Sequence, residues 1–128
     1  MPLINEIKKR EIIRNNLLKK LKIYSYIVNK KFVKSTMILF GSYARGDFNL
    51  WSDVDIIIIS DAFKGVRFLD RAYNLPKLPR ELYYSDIICW THEEAIKMIL
   101  KKSWEDALKS SVIIIDSYKI FDSAQKPS

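Results

Sequence analysis

The residues of this chain that could do chemistry lie in two clusters and one isolated position. Gly41 and Ser42 close the apolar run Thr36–Met37–Ile38–Leu39–Phe40, and Arg45 follows shortly after. A strand that stops at glycine and enters a helical turn presents free backbone N–H groups, which favour an anion. Gly41 lets a phosphate approach without a Cβ in the way. Ser42 adds a hydroxyl, and Arg45 adds a planar cationic fork suited to phosphate. Asp53 and Asp55 open the stretch DVDIIIIS, residues 53–60. Strand side chains alternate, so the two carboxylates share a face about 7 Å apart, with Val54 on the other. Two neighbouring anions repel unless a cation lies between them. Hard divalent ions such as Mg²⁺ take one or two such carboxylates together with substrate phosphates.

Each part alone has a plainer reading. Many strand-to-helix turns begin Gly–Ser and bind nothing, and an Asp-x-Asp can simply end a strand at its solvent edge. The combination is more specific. If the strands 36–40 and 53–60 are neighbours, turn and carboxylates converge on one pocket that fits an Mg²⁺–triphosphate. Asp86 is the favoured third carboxylate, because it lies in the apolar stretch Leu82–Trp90, where an unpartnered acid is costly. Asp61 and Asp116 are its rivals. Gly41 and Gly46 match half of a P-loop, but Asp47 and Phe48 follow where lysine and a hydroxyl residue belong, which excludes a Walker-type ATPase. Arg45–Gly46–Asp47 spells an adhesion tripeptide by coincidence.

The elements that must hold these residues follow from hydrophobic period. Residues 3–33 read as a helix with an apolar stripe of Ile7, Ile13, Leu17, Leu21, Tyr24 and Val28. Residues 36–40 form a short strand, and 42–46 a helical turn. The four isoleucines of 53–60 indicate a central strand buried on both faces. Residues 66–75 read as a short helix stopped by Pro76 and Pro79, and 82–90 as a strand. Thr91-His92-Glu93-Glu94 is a capping box that opens a helix to about Ser110, broken near Ser103. Val112–Asp116 is a last strand that Tyr118–Phe121 could extend, and the tail from Ser123 frays. Alternating strands and helices give an α/β (α+β) class with one small mixed sheet, in one domain of 128 residues.

Composition narrows the rest. Apolar residues make up 48 % and charged residues 29 %, which fits a globular protein. No apolar run approaches the ~20 residues that cross a membrane. The start MPLINEIKKR lacks the features of a signal peptide, so the expected location is cytoplasmic. Cys89 is the only cysteine, which excludes an internal disulfide and a multi-cysteine zinc site. A net charge of +7 favours anionic partners, but nucleic-acid binding rests on that charge alone. His92, in the capping turn, reads as a surface residue, and Cys89 as core. Trp51 either stacks on a base or packs its loop. Lys64, Arg67 and Arg71 read as a solvated helix face.

Gly41–Ser42, then about ten residues, then Asp53-Val54-Asp55 at the head of a hydrophobic strand resembles the nucleotidyltransferase superfamily related to DNA polymerase beta. The longer match, Gly41 to Asp47 with Ser52 to Asp55, is similar to its minimal nucleotidyltransferase branch. The resemblance spans roughly residues 20–115. It implies a small mixed sheet with helices on one side, and transfer of AMP from ATP to an acceptor hydroxyl. It implies that Asp53 and Asp55 bind two Mg²⁺ ions, and that Asp86 binds one of them and helps activate the hydroxyl. Ser42 and the Gly41 backbone would hold the β and γ phosphates, with Arg45 assisting. Minimal members lack a substrate domain and pair with a helical HEPN-type toxin, which they neutralise as antitoxin. Other readings of this chain are a non-catalytic antitoxin acting by complex formation, and adenylylation of a small molecule.

Overall fold

The computed structural model describes residues 2–49 and 51–121. Its elements run α1 (Pro2–Phe32), β1 (Thr36–Phe40), α2 (Gly41–Arg45), β2 (Asp55–Ile59), β3 (Asp86–Trp90), α3 (His92–Ile99), α4 (Lys102–Leu108) and β4 (Val112–Asp116). Short 3₁₀ segments at Asp61–Phe63, Phe68–Asn74 and Arg80–Leu82 fill the connection from β2 to β3. The strands form one sheet in the order β3-β2-β1-β4. β1 is antiparallel to β2 and β4, while β2 and β3 are parallel, so the sheet is mixed as expected.

The run Ile56–Ile57–Ile58–Ile59 is buried throughout, because helices cover both faces of the sheet. On one face Ile56 and Ile58, with Met37 and Leu39, pack against Leu17, Leu21, Tyr24 and Val28 of α1. On the other, Ile57 and Ile59, with Ile38 and Trp90, pack against Ala95 of α3 and Trp104 and Leu108 of α4. Each fully buried aliphatic side chain contributes roughly 1.5–3 kcal/mol. The helices are thus divided between the faces instead of sharing one. The cause is β2 itself: alternate isoleucines point both ways, and each set needs a cover.

Four boundaries differ from the sequence reading. The stripe on α1 is buried only from Leu17 onward, and Ile7 and Ile13 are exposed, because the first turns of α1 run past the sheet. Phe68–Asn74 winds as 3₁₀ instead of α. Leu82 closes a 3₁₀ segment and residues 83–85 turn after it, so β3 begins at Asp86. After β4 the chain does not continue as a strand. The Asp116 carboxylate accepts from the backbone N–H of Ile120 (3.0 Å) and Phe121 (3.1 Å) and turns it. The capping box is present, and its helix breaks at Leu100–Lys101 into α3 and α4. The fraying expected from Ser123 onward lies outside the described residues.

Candidate active site

β1 ends at Phe40, which pairs with Asp55, the first residue of β2. Gly41 therefore turns away from the sheet directly beside the Asp55 carboxylate. Its φ is +76°, in the left-handed region. A Cβ at this position would overlap Asp55 Oδ2 and lie 3.2 Å from Cγ. Glycine is thus required twice, once by the backbone and once by the carboxylate. α2 follows as little more than one turn. Its Ser42 carbonyl accepts from Gly46 N–H (2.8 Å) and Asp47 N–H (3.2 Å), and Gly46 closes it in the left-handed conformation.

Asp55 also pairs with Asp86, the first residue of the parallel strand β3. The Asp86 N–H donates to the Val54 carbonyl at 2.8 Å, which ties the two strand starts together. Asp53 precedes β2 and is exposed, while Val54 between the aspartates is buried against the α1 layer. Asp55 continues with Ile57 and Ile59 on the α3–α4 side. Asp86 is exposed at a strand start and not enclosed within the strand. What brings it beside Asp55 is the register of the parallel strands, and the burial expected from its apolar neighbours is absent.

The carboxylates sense one another. Asp55 is pushed above the usual aspartate range, first by burial, then by Asp86 and Asp53, and Arg45 offsets part of this. Arg45 itself is exposed, and its Nε donates to Asp47 Oδ2 at 3.1 Å.

The rival carboxylates are committed elsewhere. Asp116 accepts from Thr36 Oγ1 (3.0 Å) besides capping the C-terminal turn. Asp61 lies beyond the far end of β2, where it accepts from His92 N–H (3.1 Å) and pairs with Lys64 (3.5 Å).

Residues 21–121 match the family model described as a nucleotidyltransferase domain. The chain belongs to this nucleotidyltransferase family. The structure is similar to that of a Sulfolobus solfataricus protein described as a nucleotidyltransferase, with 26 % identity and a TM-score of 0.59. That likeness covers 81 % of this chain and 84 % of the other. Among curated proteins none matches the chain.

Nucleotidyltransferase chemistry uses a nucleotide and a divalent metal, and the donor set here suits one. Asp53, Asp55 and Asp86 supply only hard oxygen donors, and their mutual repulsion favours a cation. Among the described residues no three acids are gathered into a ready-made cation cage.

Three residues were misplaced or missed by sequence reasoning. Arg14 of α1 donates to the carbonyls of Tyr43 (3.0 Å) and Ala44 (2.9 Å), so it holds the last turn of α2 in place. Tyr43 in turn stacks on Phe48 at 4.1 Å between ring centroids. Only the three-dimensional crossing of α1 over α2 brings these together, and no local motif announces it. Arg71, expected on a solvated face, is buried, as described below. His92 is half-buried against the Tyr118 ring at 4.7 Å, while Cys89 is core as expected.

Proposed function

We propose that this nucleotidyltransferase transfers AMP from Mg²⁺–ATP to a hydroxyl group of a partner protein. The observation that carries the reading is the convergence at Asp55: Gly41 packs on it from β1, and Asp86 stands beside it on β3. Asp53, Asp55 and Asp86 would hold the metal. When bound, Mg²⁺ neutralises charge on the phosphates and on the attacking and leaving oxygens. Ser42 Oγ and the backbone N–H groups at the start of α2 donate to the β and γ phosphates, with Arg45 within reach of the same charge. Gly41 keeps the space that the Asp55 carboxylate fills. Asp86, at the edge of the sheet, accepts the proton of the acceptor hydroxyl.

A protein acceptor is supported by an exposed apolar face on α1, a surface suited to docking another protein. The +7 charge and the exposed Ile4, Ile7, Ile12 and Ile13 on the first half of α1 give a partner something to grip. The partner on this reading is a HEPN-type helical toxin, held in a hetero-oligomer in the cytoplasm, with this chain as its antitoxin. The same exposed face would serve an antitoxin that acts by binding alone.

Mixing the protein with Mg²⁺–ATP and the candidate partner tests both. The expected result is pyrophosphate release and a partner heavier by AMP. In Asp53→Asn/Asp55→Asn the transfer should fall at least 10³-fold, on the order of 4 kcal/mol of transition-state stabilisation. Undiminished labelling by that variant would sink the reading. Full neutralisation without labelling would favour binding alone.

A further inference from the structure

We propose that Tyr84 is a self-modification site, whose phenolic oxygen accepts a nucleoside monophosphate from this chain's own active site. The inference rests on the nucleotidyl-transfer reading above and extends it to a specific acceptor within the chain.

The strand order sets the direction of attack. Ser42 follows β1 and Asp86 begins β3, on opposite sides of Asp55 in the strand order, so phosphates held by Ser42 would lie on the β1 side. In-line displacement at the α-phosphorus needs the nucleophile opposite the departing pyrophosphate. A hydroxyl therefore enters from the β3 side, where Asp86 begins the strand.

The segment immediately before Asp86 supplies such a hydroxyl. Tyr84 is 90 % exposed, level with Trp51 and ahead of Tyr73 at 86 % among the exposed large apolar and aromatic side chains described. Its Cα is at most about 7 Å from that of Asp86, given two residues of chain. The turn carrying it is fixed. Ser85 N–H and Oγ both bond to the Leu82 carbonyl (3.2 and 2.5 Å), and Asp86 N–H bonds to Val54. The Ser85 hydroxyl is thus occupied, and Tyr83 is less exposed, at 54 %. Tyr84 presents a nucleophile of the required class on the required side.

The step balances without another reactant. The Tyr84 oxygen forms a bond to the α-phosphorus as the bond from that phosphorus to the α–β bridging oxygen breaks. Pyrophosphate leaves with the electron pair, and the phenolic proton passes to Asp86 and then to water. Attack within one copy and attack between two copies give the same product.

The test is intact-protein mass spectrometry after incubation with Mg²⁺ and each ribonucleoside triphosphate in turn, with Mg²⁺–nucleotide binding measured in parallel by calorimetry. The expected result is one added nucleoside monophosphate, mapped to Tyr84. It should fall at least tenfold in Tyr84→Phe and in Asp53→Asn/Asp55→Asn, and persist in Tyr73→Phe, which removes an equally exposed phenol. Nucleotide binding without an adduct, or an adduct that survives Tyr84→Phe, overturns the self-modification and leaves transfer to a partner standing. Absence of Mg²⁺–nucleotide binding overturns both.

Discussion

At the C-terminal end of β3, the Arg71 guanidinium donates to the Cys89 carbonyl (3.1 Å) and to both Glu94 oxygens (2.5 and 3.2 Å). At its N-terminal end, Asp86 faces Asp55 across the parallel ladder, with Asp53 two residues away. The two clusters lie at opposite ends of one five-residue strand. In the first, every charge meets its opposite and the carboxylate also completes the capping box through Thr91 N–H at 2.8 Å. Arg71 lies almost wholly inside, with its side chain 8 % exposed. In the second, three acids of like sign share a rim, and Arg45 offsets them only in part. A network satisfied within the chain holds the fold. A cluster of like charges is where a ligand of opposite charge gains most.

The sharpest way to break this comparison is to remove Arg71. Arg71→Ala leaves the Cys89 carbonyl and Glu94 without their partner, and should cost about 3 kcal/mol, the low end for a broken buried pair because Glu94 is partly exposed. Chemical denaturation measures it. Arg71→Ala with an unchanged midpoint would mean that the pair is decorative. The same network predicts an acid response. Hydrogen bonding from Arg71, and then from Thr91, holds Glu94 below the usual glutamate range, against some burial. Its ionised form is therefore favoured by the fold, so this contribution is complete above the ordinary glutamate pKa and fades as pH falls through the lowered one. Glu94→Gln should flatten the stability–pH curve in that acidic window and leave its neutral limb parallel to the parent's.

How far the sequence foretold each cluster follows from how local its determinants are. Asp53, Asp55, Gly41 and Ser42 sit within fifteen residues, and alternation along one strand sorts the acids from Val54. The capping box is equally local, so Thr91 and Glu94 were readable. Asp86 was singled out for a burial that it does not have. Its pairing with Asp55 depends on the parallel register of β2 and β3, which no single segment encodes. Arg71 and Arg14 were missed for the same reason: one reaches 23 residues along the chain to Glu94, the other 29 to Tyr43. The end of α1, expected near residue 33, falls at Phe32, so it was readable without a glycine stop. Val33 takes the left-handed conformation (φ 71°) that glycine usually holds after a helix.

A smaller change probes how the site cluster is held. Gly41→Ala would force an L-residue to φ +76° and drive its methyl into the Asp55 carboxylate. The backbone alone should cost about 1–2 kcal/mol. Displacing Asp55 by even an ångström should lower nucleotidyl transfer on the order of 100-fold. Measured together, the two effects separate: stability falls modestly and activity falls steeply. Gly46→Ala is the control, because it meets the same left-handed penalty but has no atom within 4 Å of the added methyl. Loss of activity equal to that of Gly41→Ala would show that strain in α2, and not the space around Asp55, is what matters.

The smallest expected effect has the opposite sign, and it tests the comparison most directly. Asp55 is half-buried at a junction where Asp86 and Asp53 repel it, and burial itself disfavours its charge. Its pKa in the fold lies above that of the unfolded chain, so the fold prefers the protonated acid. Stability from this group is therefore fullest at low pH and is lost as pH rises through the raised value, which leaves the ionised form costly near neutrality. Asp55→Asn removes that charge while keeping the shape of the side chain. In the absence of divalent cations the variant should unfold at a slightly higher temperature than the parent near pH 7, by the equivalent of 1 kcal/mol or less after solvent screening. Adding Mg²⁺ should narrow the gap, because the parent gains a ligand that the variant binds poorly. A variant less stable than the parent under metal-free conditions would place Asp55 with Glu94, among the charges that hold the fold, and would end the distinction between the two ends of β3.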